Sequence, residues 1–176
     1  FDPNTRDEQG QVGLFLALRS ESPKAVAVLL AHPKTDIDAA NGSGETPVMM
    51  AALRGQLDFT RQLLDRGARV NREGWTPLHY VASADTEHGV TIARILLERH
   101  AYIDAESPNK STPLMLAAQY GSQTMVQLLL DAGADVQLRN QLGLTAIDFA
   151  QRSERAFMVN MLQQAHHASR PSKGSW

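Results

Sequence analysis

Histidines and carboxylates are the side chains in this sequence that could do acid–base or metal chemistry, and their spacing decides whether they can. His79 stands in Thr76-Pro77-Leu78-His79, His88 and His100 are isolated, and His166-His167 are adjacent near the end of the chain. Asp85 and Glu87 could hold a cation as a carboxylate pair, although a solvated loop is the simpler reading. No His-Glu-x-x-His helix, no Gly-x-Ser-x-Gly elbow and no Walker loop is present. Gly42-Ser43-Gly44 reads as a turn, not a phosphate cradle. The 176 residues include no cysteine, which removes disulfides, thiolate nucleophiles and Cys-based zinc sites together. These residues predict no catalytic residue, no metal and no cofactor, and they give His79 a local hydrogen-bonding role.

Composition narrows the partners. Lys and Arg number 17 against 19 Asp and Glu, a formal charge of −2, so no basic face for nucleic acid is expected. Hydrophobic residues make up 43% of the chain and aromatics only 6%, which predicts a sizeable, aliphatic core. No apolar run approaches the roughly 18 residues of a membrane span. The chain starts at Phe1 with no visible leader, which suggests a processed or excised product. The compartment stays open between cytoplasm and periplasm or secretion.

The elements that would position these side chains are repeated. Thr46-Pro47-Val48-Met49-Met50-Ala51-Ala52 leads to Gly55, Leu63-Leu64 and Gly67-Ala68-Arg69-Val70-Asn71. Thr112-Pro113-Leu114-Met115-Leu116-Ala117-Ala118 leads to Gly121, Leu128-Leu129-Leu130 and Gly133-Ala134-Asp135-Val136-Gln137. Thr76-Pro77-Leu78-His79 opens a unit between them, Thr145-Ala146-Ile147-Asp148 a later one, and Val12-Gly13-Leu14-Phe15 a degenerate first one. The openings at 12, 46, 76, 112 and 145 lie 34, 30, 36 and 33 residues apart.

This pattern resembles the ankyrin repeat, whose period is 33 and whose signature is Thr-Pro-Leu-His-x-Ala. The resemblance implies an all-α solenoid of helix-turn-helix units joined by β-hairpin fingers. It places one domain over residues 1–165, with units near 1–38, 39–71, 72–104, 105–137 and 138–165, and a flexible tail over 166–176. The residues fit that reading physically. The threonines can cap helix N-termini, and the prolines sit at the first helical position, where no N–H is needed. Gly55 and Gly121 suit left-handed helix ends, and alanines let neighbouring units approach. One unit cannot bury its own apolar face, so stacking makes the core.

Departures from the period are informative. Eight residues separate Asp38 from Thr46 and Asp104 from Thr112, but only five separate Asn71 from Thr76. The finger Asn71–Trp75 is therefore three residues short. Three residues are regained in Ser83–Gly89, a loop that either marks a binding face or has drifted. Phe1-Asp2-Pro3-Asn4 aligns with the unit end Ala68–Asn71, so the chain is expected to begin inside a finger, with a further repeat upstream in the natural protein. Leu14, Phe15 and Leu18 are then expected to be uncovered and sticky.

The resemblance implies a non-enzymatic module that binds another protein through fingers and first helices. The architecture is also similar to small bacterial ankyrin proteins. The candidate partner-binding residues are Glu45, Arg54, Glu73, Trp75, Asn109, Gln119, Tyr120, Arg139 and Arg152, with Trp75 and Tyr120 as the aromatic centre. The alternative for Trp75 is packing on Tyr80 or Pro77. The alternative function is a structural or self-associating segment of a longer array, with weak self-association through the uncapped N-terminal end of an otherwise monomeric chain.

Overall fold

Thr-Pro starts a helix wherever it occurs. In the computed structural model, which describes residues 1–169, α3 (Pro47–Leu53), α5 (Pro77–Ala82) and α7 (Pro113–Tyr120) each begin at the proline. α9 (Ala146–Arg152) begins after Thr145. The remaining helices are α1 (Gly13–Arg19), α2 (Pro23–Ala31), α4 (Leu57–Asp65), α6 (Gly89–Glu98), α8 (Gln123–Asp131) and α10 (Ala156–Ala168). The hydroxyls of Thr76, Thr112 and Thr145 accept the backbone N–H of His79, Met115 and Asp148. Thr46 departs from this: its hydroxyl is buried and finds no partner among the described residues.

The return bond to each threonine N–H comes from three chemistries in one position. Met49 Sδ and Met115 Sδ lie 3.4 Å from Thr46 N and Thr112 N. His79 Nδ1 lies 3.1 Å from Thr76 N, and Asp148 Oδ2 2.8 Å from Thr145 N. Each is the acceptor half of a capping box.

The helices stack in two rows. α1, α3, α5, α7 and α9 pack side by side, each also packs on its own second helix, and α4, α6, α8 and α10 form the second row. Arg66, just past α4, joins α2 to that row by donating to the Leu30 carbonyl at 2.5 Å. Ala51, Ala52, Ala82, Ala117 and Ala118 are fully buried, which keeps the first row thin. Leu63, Ile92, Leu96 and Leu129, from the second row, are equally buried. Helix-end carbonyls are satisfied across units: Gln56 Nε2 donates to Leu18 O at 3.0 Å, and Arg155 to Ala117, Ala118 and Gly121. Such cross-capping answers the orphan carbonyls that every helix end leaves.

A polar ladder ties the fingers together. Asn4, Asp38, Asn71 and Asp104 each accept a backbone N–H from one period further along the chain, from Asp36, Arg69, Tyr102 and Asp135, at 2.7–3.0 Å. The rung lengths in sequence are 32, 31, 31 and 31 residues. Asn4 therefore does for its unit what Asn71 does for a later one, including donation from its amide to Lys34 O, as Asn71 donates to His100 O.

Several expectations are corrected. No β-strand occurs among the described residues, only an isolated bridge between Arg6 and Val12. The fingers are tight turns: Asn41 N–H donates to Glu45 O at 2.9 Å, while Asn41 Oδ1 accepts from Ser43 and Glu45. Side-chain acceptance inside the loop replaces the cross-strand pairing a hairpin needs.

Gly121 is not left-handed, unlike Gly55 at φ +68°; its φ is −83° and ψ 177°. It is needed for closeness instead, since a Cβ there would fall 2.7 Å from Ala82 O. Residues 166–168, expected in a tail, belong to α10, which continues to Ala168. Residues 170–176 lie outside the described residues.

Leu14, Phe15 and Leu18 are buried, since α1 packs on α2 and α3. The apolar groups left open at that end are Phe1 and Val28.

Candidate functional site

The short finger shapes this site. In the fingers before α3 and α9, the residue five before the threonine (Asn41, Asn140) closes the turn with its side chain. In the short finger that position is Asn71, and its side chain is committed to the ladder. Arg72 compensates by reaching back to Gly44 O and to Met49 Sδ at 3.6 Å. A Cβ on Gly74 would sit 3.8 Å from Pro108, so the next finger lies directly alongside.

Trp75 is thereby left at the mouth of a groove. Its ring meets His79 edge-on, with centroids 5.4 Å apart at 81°. The groove has a volume of about 310 Å³ and is lined by Leu53, Trp75, His79, Tyr80, Ser83, Leu116 and Tyr120. Trp75 is 36% exposed and Tyr120 57%. Three consecutive first helices, α3, α5 and α7, thus contribute side chains to one apolar depression.

Two polar anchors fix the groove floor. His79 is wholly buried; its Nε2 meets Ser111 O at 2.9 Å, and Nδ1 faces Thr76 N and Oγ1. A carbonyl can only accept, so Nε2 carries the proton and Nδ1 accepts. Burial pushes the His79 pKa below its ordinary 6.5, partly offset by its backbone hydrogen bonds. A neutral ring whose nitrogens are both engaged has no lone pair for a metal or a substrate proton. Tyr80 donates its hydroxyl to Glu45 Oε2 at 2.8 Å. Burial first, then that carboxylate, drives its pKa well above the usual phenol value, so it remains a neutral donor.

The candidate residues separate into groups. Trp75 and Tyr120 share the groove, and Glu45 reaches it through Tyr80. Glu73, two residues before Trp75, is exposed and pairs with no cation among the described residues. Arg54 is turned back, donating to Arg19 O at 2.8 Å and facing Glu21 at 3.8 Å. Arg139 and Asn109 brace their own fingers, Arg139 through Gly143 O and Asn109 through Ser107 and Ser111. Gln119 is half-buried, and Arg152 is exposed at the end of α9.

Leu53, Ser83 and Leu116 line the groove without being among the candidate partner-binding residues, and Tyr80 entered the sequence analysis only as a packing neighbour for Trp75. The signal for them was present: Leu53 and Leu116 are large residues on first helices otherwise narrowed by alanine. Among the described residues no cluster of three His, Asp or Glu side chains could hold a metal, and Glu87 lies 4.0 Å from His88. No helix among them is long and apolar enough to cross a membrane.

Two rows of helices, Thr-capped and joined by turn fingers, define an all-α repeat solenoid. A family model for ankyrin repeats matches residues 14–107 and 86–171, and the chain belongs to the ankyrin repeat family. It is 29% identical over 143 residues, 77% of its length, to human transient receptor potential cation channel subfamily A member 1. It is 29% identical over 146 residues, 83% of its length, to rat ankyrin repeat and SAM domain-containing protein 6. It is 39% identical over 98 residues, 53% of its length, to human neurogenic locus notch homolog protein 4. The chain spans only 13%, 13% and 5% of those three proteins. Ankyrin repeats generally mediate protein–protein interaction.

Proposed function

We propose that the chain is a non-enzymatic protein-binding module, folded as one domain over residues 1–165, whose partner docks across the fingers and first helices at the groove between Trp75 and Tyr120. The observation that carries this reading is the groove itself. Two large aromatics stand partly in water over an apolar floor, and Trp and Tyr in such settings are the residue types that dominate interface energetics. His79 is spent on structure, with both ring nitrogens engaged inside the chain. Affinity capture from native extract with wild-type and Trp75→Ala/Tyr120→Ala baits tests it. A partner retained at least tenfold less by the double variant is expected; equal retention, with both baits folded, overturns the site.

A second reading rests on Phe1, 93% exposed, and Val28, 65% exposed. They border an apolar depression formed with Pro3, Gly13, Ala25 and Leu29. That patch favours weak self-association, or stacking of another unit, at the N-terminal end. Light scattering over a concentration series, with Val28→Lys as control, separates this from a monomer.

A further inference from the structure

We infer that the groove at Trp75 takes a basic segment of a partner protein, with one arginine side chain laid across Trp75 and Tyr120 and aliphatic neighbours against Leu53 and Leu116. This rests on the docking reading above and adds the chemistry of the occupant.

Size comes first. At about 310 Å³ the groove is at the small end of ligand pockets, room for one or two side chains. The second argument is charge. Glu73 precedes Trp75 by two residues, Asp85 follows Ser83 by two, and Glu106 opens the neighbouring finger; all three are exposed and none pairs with a cation among the described residues. The Glu45 carboxylate adds a fourth negative group, held at the groove by Tyr80.

Of the nearby cations, Lys110 is exposed on the same finger as Glu106, while Arg72 and Arg54 are committed to carbonyls. Arg72 donates to Gly44 O and Arg54 to Arg19 O, so neither offers an anion site. Glu45, Glu73, Asp85 and Glu106 outnumber Arg54, Arg72 and Lys110 by four to three, so a cationic segment meets the more complementary charge.

The third argument is the aromatic surface. A guanidinium is weakly hydrated and stacks on Trp and Tyr faces, while its stem suits apolar walls. Leucine alone would use the walls and leave the carboxylates idle. Lysine would answer the charge, but its compact, strongly hydrated head suits the aromatic faces less well.

The test uses three acetylated heptapeptides, Gly-Ser-Leu-X-Leu-Ser-Gly with X as Arg, Gln or Glu. They are titrated into the full chain carrying Trp176→Phe, which leaves Trp75 as the sole indole. The Trp75 indole N–H resonance is followed at low salt. The Arg peptide is expected to shift it saturably and to bind at least fivefold more tightly than the Gln peptide, with the Glu peptide weakest. Glu73→Gln with Glu106→Gln is expected to shrink the Arg advantage below twofold without moving the melting temperature, and added salt to shrink it likewise.

Equal affinity for Arg and Gln overturns the cationic occupant and leaves the docking groove standing. Loss of the Trp75 shift for every peptide, or binding indifferent to Tyr120→Ala, overturns both.

Discussion

The fingers before α5 and α7 enter helices that begin in the same way, Thr-Pro, yet the fingers themselves differ. Before α7, Ser107 and Asn109 fold the loop onto itself, Ser107 N–H donates to Ser111 O at 2.9 Å, and Ser111 is buried. Before α5, three residues are missing, Asn71 is used up in the ladder, and Trp75 stands at the edge of a groove. The same solenoid thus carries one finger that satisfies itself and one that leaves an aromatic partly in water. A helical frame held by its own caps tolerates a change in loop length, and the change turns structural surface into available surface. The three residues regained in Ser83–Gly89 return the frame to register. Thr86 from that loop presses against Gly55, where a Cβ would fall 2.5 Å from its Oγ1.

The largest expected effect tests whether the difference is confined to the fingers. Leu96 and Leu129, on the second helices of the two units, are both fully buried. Leu96→Ala and Leu129→Ala are each expected to cost about 2–5 kcal/mol in urea denaturation. A much smaller cost for Leu96 would show that the whole α5–α6 pair is loose, and the comparison would move from finger to core.

The contact between the two units comes next. Gly121→Ala is expected to cost about 1–3 kcal/mol, because its backbone is already extended and the cost comes from clashes with Ala82 O at 2.7 Å and with Ala117 Cα and O at 2.9 and 3.0 Å. A neutral result would mean that α7 can move away from α5 without penalty.

His79 sharpens the comparison through pH. Its folded pKa lies below the ordinary 6.5, so the unfolded chain takes up the proton first. Stability from this group is therefore complete above about pH 6.5 and declines as pH falls below it. His79→Met installs the residue that α3 and α7 use in this position. It is expected to flatten that decline between pH 7 and 5. It also removes one of the two donors to Ser111 O, which keeps the Ser107 N–H, at roughly 0.5–1.5 kcal/mol. An unchanged pH slope would place the proton uptake elsewhere.

The smallest effect concerns Trp75. Trp75→Ala is expected to cost about 0.5–1.5 kcal/mol, the worth of an edge-on aromatic pair. A loss matching that of Leu96→Ala would make Trp75 a core residue and close the groove as a site.

Much of the frame was legible because it is local. Thr-Pro predicts an N-cap and first helical position from backbone geometry alone, and three helices start where that rule puts them, with α9 following Thr145 without the proline. The stripes Leu63-Leu64 and Leu128-Leu129 marked the second helices for the same reason. The groove was only half legible. Trp75 and Tyr120 stood out as aromatics in a chain with few, and both stand partly in water at one groove, but the edge-on contact of Trp75 with His79 was not legible along the chain. Arg54 and Arg139, candidate partner contacts by position, also serve helix-end and finger carbonyls within the chain. A sequence shows that an arginine is present and not which carbonyl lies within its reach.

The sequence by itself determined the repeat, the helix starts, the alanine-thinned first row, the missing cysteine chemistry and the shortened finger. Each follows from residue type and spacing along the chain, where geometry is set within one turn of helix. Tertiary structure alone decided the ladder from Asn4 to Asp135, the cross-unit capping by Gln56 and Arg155, the closeness that requires Gly121, and the gathering of Leu53, Tyr80 and Leu116 around Trp75. The ladder, the cross-unit caps and the Gly121–Ala82 approach join residues 31 to 39 positions apart. They exist only once neighbouring units have stacked, because the buried apolar faces, not the local sequence, bring the partners within hydrogen-bonding distance.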